Sequence, residues 1–191
     1  MPTSVVLWSA AALLLFWGVG AYNRLMRLRG DAIAAFAALA AELGRQSDLV
    51  RKELPAAVAT QPAPLDAEGT FWAALQGAAG QLAASLAAAR ARPLQPEAIA
   101  ALSSAQTVLA MAWERAERQD AHDMSGPRLP EAVLAQRARL ALQVHAATEQ
   151  FNQAVIRYNA GIAQFPAVLL AWLFGFKPGL GFTQLSTSVP K

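Results

Sequence analysis

The sequence predicts an all-α protein: a single N-terminal transmembrane helix continuing into an antiparallel up-down-up-down four-helix bundle, with an apolar segment at its C-terminal end. Three observations carry this. Val5–Tyr22, VVLWSAAALLLFWGVGAY, holds no charged residue, and Ser9 is its most polar side chain. Four later stretches repeat large apolar residues at three- and four-residue steps, the spacing of one helical face. Much of the 55% hydrophobic share is Ala, a strong helix former, and β-branched runs are few.

Residues 1–4 form a short N-terminus without Lys or Arg. As a helix, Val5–Tyr22 is about 27 Å long, close to the hydrocarbon thickness of a bilayer. Trp8, Trp17 and Tyr22 lie toward its ends, where amphipathic rings favour the headgroup level, and Arg24, Arg27 and Arg29 follow at once. The positive-inside bias therefore puts the N-terminus outside and everything after Tyr22 in the cytoplasm, as in a single-pass membrane protein. Val19-Gly20-Ala21 also suits signal-peptide cleavage, the competing reading. A missing basic n-region, the length of the apolar run and arginines at the stop-transfer position oppose it. With no Cys in the chain, disulfide and thiol chemistry are excluded.

Residues 23–165 read as the bundle. Leu25, Leu28, Ala32, Phe36, Leu39, Leu43 and Val50 share one face, and no Pro interrupts Val5–Leu54, so span and first helix form one rod. Pro55–Leu65 reads as a loop. Asp66 and Glu68 suit the start of a second helix carrying Trp72, Leu75, Ala79, Leu82 and Leu86 to about Arg92. Within it, Gly77 and Gly80 weaken the helix locally and could equally permit close approach of a neighbouring backbone. Pro96 suits the first turn of a third helix with Ile99, Leu102, Gln106, Leu109, Trp113 and Ala116, fading near Asp123. Ser125-Gly126-Pro127 marks a turn. A fourth helix from about Pro130 carries Val133, Leu140, Val144, Ala147, Phe151, Val155, Tyr158, Ile162 and Phe165 on one stripe. Short connections make neighbouring helices antiparallel, which brings the fourth helix back to the membrane.

Residues 166–191 are expected to be an apolar membrane-proximal segment and a loosely ordered tail. Phe165–Phe176, FPAVLLAWLFGF, is too short to span at about 18 Å, yet too apolar for an ordinary tail. Leu170, Trp172, Phe174 and Phe176 are its candidates for contact with lipid or a partner, capping of the bundle being the alternative. On the fourth helix, Asn152 and Asn159 lie seven residues apart and return to nearly the same face. They are expected either to pair across the bundle or between subunits, fixing register, or to be two exposed amides.

Chemistry is scarce. His145 and Glu149 are i, i+4 neighbours without a second pair to complete a metal site, and His122 lies beside Asp120 and Asp123 at a helix end. No phosphate loop, dinucleotide fingerprint or nucleophile elbow is present. A formal charge of +3 carried on scattered Arg argues against a nucleic-acid surface. No catalytic, cofactor or metal residues are assigned.

Two stretches resemble the LemA family of bacterial membrane proteins. One is the anchor with Tyr22-Asn23-Arg24-Leu25, Leu28-Arg29 and Asp48-Leu49-Val50. The more specific is Phe151-Asn152, Tyr158-Asn159, Ile162, Phe165-Pro166, Leu169, Ala171, Phe174-Gly175-Phe176-Lys177-Pro178 and Phe182. Phe36 stands where family members usually carry Trp, Arg45–Val50 departs from the usual Tyr-Asp-Leu-Ile-Pro-type stretch, and the central helices are Ala-rich, so the likeness is to a divergent member. The resemblance implies an N-terminal anchor, a cytoplasmic helical bundle and no established enzymatic activity; some relatives are associated with magnetosome formation or accompany membrane proteases. The expected function is that of a non-enzymatic structural or adaptor protein that organises partners at the inner membrane. Its expected partners are the lipid bilayer and either further copies of itself or another membrane protein. The alternative is a signalling or protease-regulating helical binding module.

Overall fold

A computed structural model of the protein describes residues 2–53, 71–122 and 129–183. Among them the chain is all-helical: α1 (Pro2–Asp48), closed by a π-helical turn at Leu49–Glu53, then α2 (Phe71–Ala91), α3 (Pro96–His122), α4 (Glu131–Ala163) and α5 (Ala167–Phe174). The Pro55–Leu65 loop, the helix start at Asp66 and Glu68, the Ser125-Gly126-Pro127 turn, the tail beyond Thr183 and the side chains of Trp72 and His122 lie outside the described residues.

The 47-residue α1 changes character along its length. Its N-terminal half is long and apolar enough to cross a membrane, and Leu13, Phe16 and Leu15 there are exposed. From Leu25 onward only one stripe is buried, Leu25, Ala32, Phe36, Leu39, Leu43 and Val50, while Arg24, Arg27 and Asp31 stay exposed. One uninterrupted helix thus carries an apolar stretch and an amphipathic one, because no Pro breaks its hydrogen-bond ladder between them.

Against this stripe α4 runs in the opposite direction: Gly161 faces Leu28, and eight residues further along α1 the ring of Phe36 meets Phe151 edge-on at 5.6 Å. A Cβ on Gly161 would come within 2.6 Å of Leu28 Cδ1, so a side chain there would displace Leu28. On the other side α2 also runs opposite to α1, since Ser47 Oγ donates to Ala79 O at 3.1 Å and Arg90 donates to Ala40 O at 3.0 Å. Gly77 and Gly80 do not serve close packing, contrary to expectation: a Cβ at either would meet nothing within 4 Å. At Gly44 of α1 a Cβ would make ordinary contacts with the side chains of Arg90 and Leu86, at 3.4 and 3.8 Å.

A tight turn at Arg92–Gln95 joins α2 to α3, which begins at Pro96 as expected because proline's missing N–H costs nothing in a first turn. Gln106, on the otherwise apolar stripe of α3, donates to Gln46 of α1 at 2.8 Å. Trp113 lies under the guanidinium of Arg137, 5.1 Å from its ring centre, and Arg137 also pairs with Glu117, which ties α3 to α4. The main core gathers Leu39, Leu43, Leu75, Leu82, Leu102 and Val144; fully burying one such side chain contributes about 1.5–3 kcal/mol. Exposed pairs such as Glu42–Arg45 contribute about 0–1 kcal/mol, so the apolar stripes decide the packing.

Of the expected α4 stripe, Val133 through Tyr158 is buried, but Phe165 is 70% exposed. The helix stops at Ala163, and Phe165 leaves the stripe with the turn that follows.

Candidate functional site

The unusual features of the chain meet at one end of the molecule, where the apolar half of α1 leaves the packed helices. There α4 gives way to α5 through an elbow at Gln164–Pro166, and the two helix axes differ by 98°. A helix in water buries its large apolar residues and exposes its small or polar ones. In α5 the order is reversed: Ala167 and Ala171, one turn apart, face the protein, while Leu169, Trp172 and Leu173 point away, Trp172 being 84% exposed. Small residues bring the α5 backbone close to its neighbours and leave its large side chains outward.

Aromatic contacts fix the height of this helix against α1. Trp17 lies 5.3 Å from Phe165, and Tyr22 lies 5.2 Å from Phe174 and 6.3 Å from Phe176. Trp17 and Tyr22 are about 7.5 Å apart along a helix axis, so α5 crosses α1 at the end of its apolar run. Arg29 then reaches over the ring of Phe176 at 5.9 Å, and Arg24 and Arg27 are exposed just below Tyr22. Trp8 is exposed near the far end of the run.

The sequence-derived candidates on α5 therefore divide. Trp172 and Phe174 are exposed as expected, whereas Leu170 is half-buried and Phe176 packs with the cluster of Leu25, Ala32, Ala154 and Tyr158. Leu169 and Leu173 complete the outward face and were missed. The signal was present in the alternation of paired small residues, Ala167 and Ala171, with paired large ones.

Beyond α5 the chain reverses. Gly175 takes a left-handed conformation (φ 69°), and Phe176 N–H donates to Ala171 O at 2.9 Å, closing the helix. Residues 177–183 then form a strap that runs back along α4. Tyr158 Oη donates to Lys177 O at 3.2 Å. Asn159 donates through Nδ2 to Gly179 O at 2.8 Å and accepts from Gly179 N–H at 2.9 Å. One further step along, Asn152 donates to Phe182 O at 3.0 Å and accepts from Phe182 N–H at 2.7 Å. Ser103 of α3 donates to Thr183 O, so the strap bridges α4 and α3.

Each asparagine amide thus occupies both backbone groups of one strap residue, as a neighbouring strand would. The spacing matches: seven helical residues rise about 10.5 Å, and three extended residues cover about 10 Å. Asn152 and Asn159 are not the two exposed amides of one expectation: both are half-buried, and both bond to the strap rather than to another helix of the bundle. The expected looseness of the tail is corrected as far as Thr183, because the Phe182 ring is 2% exposed within the main core. Burial raises the pKa of the Tyr158 phenol above its usual value, with nearby Arg29 opposing, so the hydroxyl stays a donor.

His145 and Glu149 are both exposed, and among the described residues no group of three or more His, Asp or Glu is arranged to hold a metal ion. The chain matches no family model, no curated protein and no solved structure.

Proposed function

We propose that this protein is a non-enzymatic, single-pass adaptor of the bacterial inner membrane, with its N-terminus outside and its four longer helices standing as an up-down-up-down bundle in the cytoplasm. The observation that carries the reading is the outward apolar face of α5, set beside the end of the apolar half of α1. A short helix with large apolar residues on one side, turned 98° from its predecessor, is suited to lie in the membrane plane. With the span it makes two attachments, which hold the bundle in one orientation on the surface. Partners, either further copies or another membrane protein, would meet it there, because confinement to the membrane raises effective concentration. The likeness of Tyr22–Val50 and Phe151–Phe182 to the LemA family supports the same reading.

The absence of cysteine allows a direct test. A nitroxide on a single introduced cysteine at Leu173, in the full chain in vesicles, should be relaxed by dissolved oxygen and shielded from a water-soluble nickel reagent. Easy access to nickel would remove α5 from the membrane. A C-terminal reporter active only in the periplasm would overturn the orientation. In-cell crosslinking that finds only a lone monomer would remove the adaptor role.

The strap favours the second reading, a signalling or protease-regulating module. Its polar attachments are hydrogen bonds that water can replace, so releasing it would open the seam between α3 and α4 to another chain.

A further inference from the structure

Helices α1 and α4 pack together at Gly161 and Leu28, but beyond that point they part. Helix α1 continues into its apolar half while α4 turns away at the elbow, and no side chain fills the wedge between them. The result is a cleft of about 350 Å³, within the range of sites that take small ligands. Its walls are mainly apolar: Phe16 and Gly20 on the membrane side, Leu25 and Leu28 below, and Phe165 at the elbow. A Cβ on Gly20 would meet nothing within 4 Å, so the space in front of it is open. Arg24, Gln164 and Trp17 are the lining residues with hydrogen-bonding side chains, Arg24 being the one cation, and no carboxylate lines it. Among the described residues Arg24 has no ion pair or hydrogen-bond partner.

We propose that this cleft binds one anionic phospholipid, its phosphate on Arg24 and Gln164 and part of an acyl chain against Phe16 and Gly20. The proposal rests on the membrane placement of α1 and α5 argued above. Charge complementarity selects the occupant: a planar guanidinium matches phosphate oxygens, and an uncompensated cation at headgroup level favours an anionic lipid over a zwitterionic one. An apolar wedge at this depth excludes water but accepts hydrocarbon. A bound lipid would fill the gap between span and elbow and stiffen the joint that sets the angle of the bundle.

The test uses the full-length protein in mild detergent, titrated with phosphatidylglycerol and with phosphatidylcholine of the same acyl chains, and read by native mass spectrometry. Wild-type protein should retain one phosphatidylglycerol with a preference of about fivefold, what one arginine near an anionic surface supplies. Arg24→Gln should abolish the preference. Gly20→Leu, which fills the cleft with an apolar group, should abolish retention of both lipids. Arg27→Gln, on the same helix outside the cleft, should behave as wild type. Equal retention of the two lipids by wild type, unchanged retention in Gly20→Leu, or equal effects of Arg24→Gln and Arg27→Gln would each overturn the site. Vesicle flotation separates this from the premise: all four proteins should float, and failure of the wild type to do so would overturn the membrane reading itself.

Discussion

Helix α5 and the strap after it are separated by one turn at Gly175, yet they meet opposite fates. The more apolar of the two, AVLLAWLF, keeps Leu169, Trp172 and Leu173 outside, while the strap, rich in glycine and poor in large side chains, is held against the bundle with Phe182 inside the core. Hydropathy alone would order them the other way. What decides is the partner each can find. The strap has free backbone groups at a spacing that Asn152 and Asn159 can satisfy in pairs, whereas a helix has already used its own and can offer only its faces. The small face of α5 fits the protein, and its large face is left exposed.

The difference can be broken first at Phe182. Phe182→Ala should cost about 3–5 kcal/mol, as expected for emptying a buried aromatic site, while Trp172→Ala should alter stability by less than about 0.5 kcal/mol. Denaturant melting in detergent measures both, and equal effects would mean the strap is no more part of the core than α5 is. Next come the asparagines. Asn152→Ala or Asn159→Ala removes two hydrogen bonds, about 1–3 kcal/mol in all, and the double variant should cost less than the sum because both hold one segment. Hydrogen exchange should accelerate at the Gly179 and Phe182 amides; continued protection there would contradict the ladder.

A smaller effect is expected at the turn between the two segments. Gly175→Ala forces a side chain into the left-handed region at a cost of about 1 kcal/mol, which should loosen the strap without moving α5. Faster exchange at Phe182 with unchanged nickel accessibility at position 173 is the pattern to look for. The smallest effect is that of pH. Because the folded state raises the Tyr158 pKa above its usual value of 10.0, the phenol's contribution is complete below that value and is lost as pH rises through the higher folded one. Wild type should therefore lose stability relative to Tyr158→Phe only above about pH 10, and a difference that changes near neutrality would point elsewhere.

Much of the fold was legible in the residues. The stripes from Leu25 to Val50 and from Val133 to Tyr158 named their buried faces correctly, and Pro96 marked the start of its helix. The face shared by Asn152 and Asn159 was legible too, but not its occupant. Periodicity tells which side of a helix is used and says nothing of what covers it. A seven-residue strap without regular structure has no period to read, so Lys177-Pro178-Gly179 reads only as a stop to the apolar segment and Phe182 as loose tail. Gly77 and Gly80 were misread because a glycine shows that a backbone can approach, and only the packing shows whether one does.

The sequence by itself determined the composition of this molecule: an apolar N-terminal helix with its arginines, amphipathic helices after it, and a short segment too apolar to be a tail. These follow from local rules, since helix propensity and apolar spacing depend on residues within a few turns of each other. The tertiary structure alone decided which face of α5 turns outward, what the two asparagines hold, and that α1 and α4 part beyond Gly161 to leave a cleft at Arg24. Those depend on distances between residues that no local rule links, 20 and 30 positions apart for the asparagines and the strap and more than a hundred for α1 against α4 and α5, and on whether a Cβ or an amide arrives where another segment has left room for it.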